Sequence, residues 1–163
     1  MDKEILRLAD RAATLLKESN QTIGIAESSS GGLISAHLLA IPGASRYFIG
    51  GSVIYTRVAQ KGLLKVTDGQ MDGLRASTEE YASLNAKTIK ETLETTWGLS
   101  ETGATGPSGN RYGDSAGHSC VGVSGPVSRA MTIETGVGER EQNMLSFTKE
   151  ALGFLINCLE ESR

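Results

Sequence analysis

Apolar positions in the opening stretch MDKEILRLADRAATLLKES fall at helical spacing. Ile5, Leu8, Ala12, Leu15 and Leu16 share one face, with Asp2 and Glu4 early and Lys17 late. This order suits a surface helix and its dipole, and predicts a first helix. The pattern then changes. Ile23 and Ile25 alternate with smaller residues, a polar run intervenes from Glu27 to Gly32, and Leu33, Ile34, Leu38 and Leu39 follow. A strand over 22–26, a tight turn and a helix over 31–40 are predicted, with Pro42-Gly43 ending the helix. Ser52 to Tyr55 predicts a second strand entered through Gly50-Gly51, and 57–64 a short helix. Ser77 and Glu80 have capping-box spacing ahead of the stripe Ala82, Ala86, Ile89, Leu93 and Trp97, which Gly98 closes. Residues 103–117 contain five glycines and predict a long irregular loop. Residues 119–124 and 130–134 predict two strands turned at Gly125-Pro126. Leu145, Thr148, Leu152, Leu155, Ile156 and Leu159 predict a terminal helix.

Strands separated by helices imply an α/β fold, a three-layer α/β/α sandwich, and the late hairpin makes its sheet mixed, mostly parallel. With 163 residues, 39% of them hydrophobic and 21% charged, the chain suits one domain over 1–163. A net charge of −3 and a pI near 5.4 disfavour nucleic acid or an anionic membrane as a partner. The N-terminus lacks a signal-peptide apolar core, and no segment approaches the ~18 apolar residues of a span. A soluble, cytoplasmic protein is expected. Cys120 and Cys158 are far apart without a CxxC pair, and His37 and His118 have no second ligand nearby. No metal is expected, and the thiols read as packed or reduced.

The turn at 27–32 leaves helix-start amides free. An anion site and plain capping fit it equally. The glycine loop is open in the same way, between amides that approach a phosphate or carbonyl oxygen and amides that only make turns. It is neither a Walker loop nor GxGxxG, which disfavours an ATPase or a dinucleotide enzyme. Ser45, Tyr55 and Lys61 offer a hydroxyl, a phenol and an amine. Serine is a weak nucleophile that needs a base, and a desolvated lysine can supply one.

The segments AESSSGGLIS, IPGASRYFIGGSVIY and TGATGPSGN, in this order, resemble the C-terminal domain of the CinA family, the nicotinamide mononucleotide deamidases. The resemblance spans nearly the whole chain. It implies hydrolysis of the amide of nicotinamide mononucleotide to nicotinic acid mononucleotide and ammonia, with no metal and no other cofactor. The family serine falls on Ser45 and its tyrosine on Tyr55. The family lysine falls on Gln60, and Lys61, its neighbour, would point about 100° away on a helix. In this reading Glu27, Ser28, Ser30, Gly31 and Gly32 hold the substrate phosphate. Amides near Gly50, Gly51, Gly103, Thr105 and Gly106 stabilise an oxyanion, and Arg111 adds a contact in a loop that departs from the family pattern, along with Tyr112, Asp114 and His118. The alternatives are a nucleotide-binding or interaction module that has lost its base, and a hydrolase of another small amide or ester. The resemblance also implies homo-oligomers, for which the terminal helix offers a face, and a stand-alone form of a domain that follows another domain in full-length bacterial relatives.

Overall fold

The computed structural model describes residues 1–163. Asp2 starts the first helix, α1 (Lys3–Glu18), by accepting the amides of Glu4 and Ile5 at 2.8 and 3.0 Å, which satisfies donors that a helix start leaves free. The chain continues through β1 (Ile23–Glu27), α2 (Leu33–Leu39), a 3₁₀ turn (Ala44–Arg46), β2 (Phe48–Val53) and α3 (Arg57–Ala59), which runs into a π-helical turn (Gln60–Leu64). There follow α4 (Glu79–Thr92), β3 (Trp97–Ala104), β4 (His118–Ser124), β5 (Arg129–Glu134) and α5 (Arg140–Glu161).

The five strands form one sheet in the order β2-β1-β3-β4-β5. β1 lies parallel to both β2 and β3, while β3-β4 and β4-β5 are antiparallel. The α/β, three-layer expectation holds, and the mixed sheet is parallel on one side of β3 and antiparallel on the other. α1, α2 and α5 pack together on one face and α4 on the other. The main core lies under the three helices and includes Leu15, Leu16, Ile23, Ile25, Trp97, Leu99, Phe147 and Leu155. Each such side chain contributes about 1.5–3 kcal/mol on burial. A smaller cluster of Ala26, Ile54, Leu64, Val66 and Ile89 fills the α4 side. α5 turns Phe147, Ala151, Leu152, Leu155 and Leu159 inward, so its apolar face is used within the chain. No helix is long and apolar enough to cross a membrane.

Three boundaries differ from the sequence expectation. The stripe through Leu93 extends arithmetically to Trp97, yet α4 ends at Thr92, Glu94 adopts φ +53°, and Trp97 opens the central strand β3. β3 is buried along both faces and carries Ser100, Glu101 and Thr102 inside, so it lacks the alternation that marks a half-buried strand. β2 covers Phe48–Val53 rather than 52–55, with Gly50 and Gly51 inside it. A Cβ on Gly51 would lie 2.8 Å from Ser35 Oγ, so glycine lets α2 sit close to the strand. The cap of α4 is Thr78, whose hydroxyl accepts the Tyr81 amide. Ser77 stands one residue outside it at φ +61°.

Candidate functional site

Two buried carboxylates organise the turn after β1. Glu27 accepts Ser30 Oγ at 2.7 Å, the Ile34 amide at 3.0 Å, and Ser35 N and Oγ at 2.9 and 2.6 Å. It therefore fills the start of α2 with the chain's own negative charge. Glu101, on β3 beside it, accepts the amides of Ser28 and Ser30 at 3.2 and 2.8 Å and Ser119 Oγ at 2.9 Å, together with the Ser29 hydroxyl. Burial pushes the Glu101 carboxyl above its ordinary range, and these donors oppose the shift. The amides expected to hold a phosphate are thus occupied. Of the two readings of this turn, capping is what the structure gives. Glu27, Ser30, Gly31 and Gly32 have a scaffolding task, the glycines at φ +68° and +99° making the turn itself.

A cleft of about 590 Å³ opens beyond the C-terminal ends of β1 and β3, where open α/β sheets place their ligands. Ser28 lines it from the turn after β1, Thr102 and Gly103 from β3, Tyr55 and Arg57 from the chain after β2, Arg75 and Ser77 from the stretch before α4, Tyr81 from the first turn of α4, and Asn110, Arg111 and Tyr112 from the glycine loop. Two of its arginines are already neutralised. Arg57 pairs with Asp68 at 2.8 Å and Arg75 with Asp114 at 2.7 Å. The Arg75 guanidinium, with Asn110 and His118, holds the Asp114 carboxyl below the usual range. Arg111 has no carboxylate partner; it donates to Tyr112 Oη at 3.2 Å, and the Tyr112 ring lies 4.9 Å from Arg75 and 5.2 Å from Arg111. Cation–π contact with both guanidinium groups holds this ring at the cleft wall.

The remaining predicted residues are scattered. Tyr55 is at the cleft, its hydroxyl accepting from Arg140 Nη2 at 3.1 Å, while Arg140 Nη1 donates to the Gly106 carbonyl at 2.8 Å. Thr105 is buried, and its carbonyl accepts from Asn143 at 2.8 Å. Thr105 and Gly106 therefore tie the end of β3 to α5. Gly50 and Gly51 lie within β2, paired with Gly24 and Ile25, and do not line the cleft. Ser45 is exposed in the 3₁₀ turn before β2. The strand between it and Tyr55 spans ~20 Å at ~3.3 Å per residue. Lys61 is exposed and paired with Asp68 at 2.8 Å. Ser45, Tyr55 and Lys61 are thus not brought together within one chain. Gln60 is fully buried, donating to Asn85 Oδ1 at 2.7 Å and accepting from Arg57 at 3.2 Å.

His118 stands behind the cleft. Its Nδ1 faces Glu134 Oε1 at 2.5 Å and its Nε2 faces the Ser77 carbonyl at 2.8 Å, with Asp114 3.8 Å away. Burial pulls its pKa down, but Glu134, the Ser77 carbonyl and Asp114 outweigh this and raise it overall. His37 is buried and bonded through Nδ1 to the Leu33 carbonyl at 2.7 Å. Cys120 and Cys158 are free and buried. Arg140, Arg75 and Glu101 carry no sequence signal that would have found them, since each acts through a partner distant in the chain.

The model of the CinA C-terminal domain matches residues 5–159. The chain belongs to this family. A CinA-like protein of Nostoc sp. is 36% identical over 131 residues, covering 80% of this chain and 31% of its own length. One from Desulforapulum autotrophicum is 31% identical over 156 residues, covering 95% and 37%. The chain thus spans about a third of the length of these curated relatives. Among solved structures, the competence/damage inducible protein CihA from Agrobacterium tumefaciens superposes with a TM-score of 0.89 at 25% identity, over 98% of both chains. A CinA superfamily protein from Klebsiella pneumoniae gives 0.90 at 20% identity, over 96% of this chain and 98% of its own, and shows the same fold. In this CinA domain the cleft is therefore built on a shared frame, while Arg111 and Tyr112 come from its irregular loop.

Proposed function

We propose that the cleft binds a pyridine mononucleotide of the nicotinamide mononucleotide type in the cytoplasm, and that hydrolysis of the ligand's amide is slow. The observation that carries this reading is Gln60. At the position where the family resemblance implies a lysine, the chain holds a buried amide locked between Asn85 and Arg57. Its neighbour Lys61 is engaged outward with Asp68. A glutamine cannot accept a proton as an amine does, and loss of a general base costs about 10²–10⁴ in rate. Three cleft residues support binding: Arg111 offers a charge for phosphate, and Tyr112 and Tyr55 offer flat faces for a pyridine ring. Calorimetric titration with nicotinamide mononucleotide, run beside an ammonia-release assay, tests both halves. Saturable binding with slow release is expected; no binding of either the amide or the acid mononucleotide would sink the reading.

A second reading, full amide hydrolysis from a different serine, is favoured by one observation. Ser28 lines the same cleft as Tyr55, which Ser45 of the same chain does not. Rapid ammonia release that disappears in Ser28→Ala would select it.

A further inference from the structure

His118 is a buried ring that touches two walls of the cleft from behind. Its Nε2 lies 2.8 Å from the carbonyl oxygen of Ser77, a residue that lines the cleft from the stretch before α4. The same nitrogen lies 3.8 Å from Asp114 Oδ2 in the glycine loop. Asp114 accepts from both terminal nitrogens of Arg75 and from the side-chain amide of Asn110. Asn110 Oδ1 in turn accepts the amides of Tyr112 and Asp114. The turn that presents Arg111 and Tyr112 is therefore closed on the carboxylate beside His118. A second pocket of about 230 Å³ shares Arg75 and Ser77 with the cleft and is lined also by His118 and Cys120, so the imidazole can exchange protons without passing the ligand.

A neutral imidazole carries one N–H and cannot donate from both nitrogens. Here Nδ1 faces the Glu134 carboxylate of β5 and Nε2 faces the Ser77 carbonyl. Only the protonated ring satisfies both. After loss of one proton the remaining N–H stays with the stronger acceptor, the carboxylate, and the Nε2 lone pair is set against the Ser77 oxygen and Asp114. Ser77 is a place that yields readily, since its φ of +61° is one that residues other than glycine rarely adopt.

The other groups around the ring do not replace the lost charge. Cys120 of β4 has its Sγ 3.8 Å from Nε2 and 3.6 Å from the Ser77 oxygen, and burial pushes this thiol up, away from ionisation. Glu79 of α4 is bonded to Thr132 Oγ1 beside that thiol. Asp114, Glu134 and Glu79 are thus opposed by Arg75 and the imidazolium. Removing the imidazolium leaves the back of the cleft more negative, which also repels an anion.

We propose that His118 is a positioning residue for the cleft: its protonated ring holds Ser77 and the glycine loop in place, so that a phosphate-bearing ligand binds more tightly to the protonated form. The inference rests on the proposed function for its choice of a mononucleotide as ligand.

Calorimetric titration with nicotinamide mononucleotide from about pH 7 to about pH 9 tests it, a range in which a phosphate monoester with a second pKa near 6 is already mostly a dianion. The ligand's own charge therefore does not weaken binding as pH rises. Affinity is expected to fall on the order of tenfold, and by linkage bound ligand must then raise the His118 imidazole titration by about one pH unit, read by NMR. His118→Gln, neutral throughout, is expected to bind at the weak high-pH level at every pH. Glu134→Gln keeps the imidazole and is expected to move the pH of half-maximal affinity downward together with its titration. Binding that is flat with pH, a His118 titration that the ligand leaves in place, or a His118→Gln protein with the wild-type pH profile would each overturn the inference and leave the proposed function standing. Failure to bind the mononucleotide at any pH would overturn both.

Discussion

Gln60 and Asn85 are joined by a buried hydrogen bond of 2.7 Å between the π-helical turn and α4. An amine placed at the first position would face the same carbonyl oxygen. Gln60→Lys is therefore expected to raise ammonia release from nicotinamide mononucleotide by about 10²–10⁴, because burial lowers the pKa of a lysine and makes it a base near neutrality. Burying the new group is expected to cost about 1–3 kcal/mol of stability. A single-turnover ammonia assay and a urea titration check the two effects, and an unchanged rate would show that more than the base has been lost.

Glu101 holds four donors from the turn after β1 and from Ser119. Glu101→Ala leaves two buried amides without partners, each worth about 1–3 kcal/mol, so a loss of about 3–5 kcal/mol is expected in chemical denaturation. Ser119→Ala removes one donor and leaves the carboxylate its others. It is expected to cost no more than about 1.5 kcal/mol. Equal losses in the two variants would contradict the hub described for Glu101.

His118 has acceptors at both ring nitrogens, and its pKa is raised by Glu134, the Ser77 carbonyl and Asp114 in spite of burial. The sign follows from protonation. A histidine whose folded pKa lies above its unfolded value stabilises the fold fully below about 6.5, and that stability is lost as pH rises through the folded value. Melting temperature is expected to fall across this window. Glu134→Gln is expected to flatten the fall and move the His118 imidazole titration downward by NMR. A titration that does not respond to Glu134→Gln would remove the carboxylate from the account.

Arg111 is the cleft-lining arginine without a carboxylate partner. A charge-assisted bond to phosphate is worth about 1.5–3 kcal/mol, so Arg111→Ala is expected to weaken nicotinamide mononucleotide binding by about 10–100-fold. Nicotinamide riboside, which lacks the phosphate, is expected to bind the two proteins alike. Equal losses for both ligands, measured by calorimetry, would place Arg111 elsewhere in the site.

How far the sequence could be read depended on where each element spends its side chains. α1 and β5 were legible partly because each shows a face to water, and β1 and β4, buried throughout, because short apolar runs there are bounded by turn residues. β3 was not, because Ser100, Glu101 and Thr102 interrupt its apolar run and are buried all the same, Glu101 against the turn after β1 and Ser119, and Thr102 against the Ser77 amide. The site divides in the same way. Tyr55, Ser28 and Arg111 line the cleft, whereas the serine turn proved to be filled by Glu27 and Glu101, a pairing that depends on two strands meeting in space. Ser45 was legible as a residue type in a motif, but its distance from Tyr55 is set by the position of β2, which the paired glycines concealed.

The sheet's two halves also differ in how far along the chain their partners lie. β4 and β5 are joined by the short turn at 125–128, and an ensemble of unfolded chains closes such a loop at little entropic cost. Ile23 must find Trp97 across α2, β2, α3 and the whole of α4, a contact whose closure costs more entropy and is slower. The hairpin and β3 can therefore assemble before β1 arrives, and Glu101 waits without Ser28 and Ser30 until it does. The floor of the cleft is then among the last surfaces of the molecule to become defined.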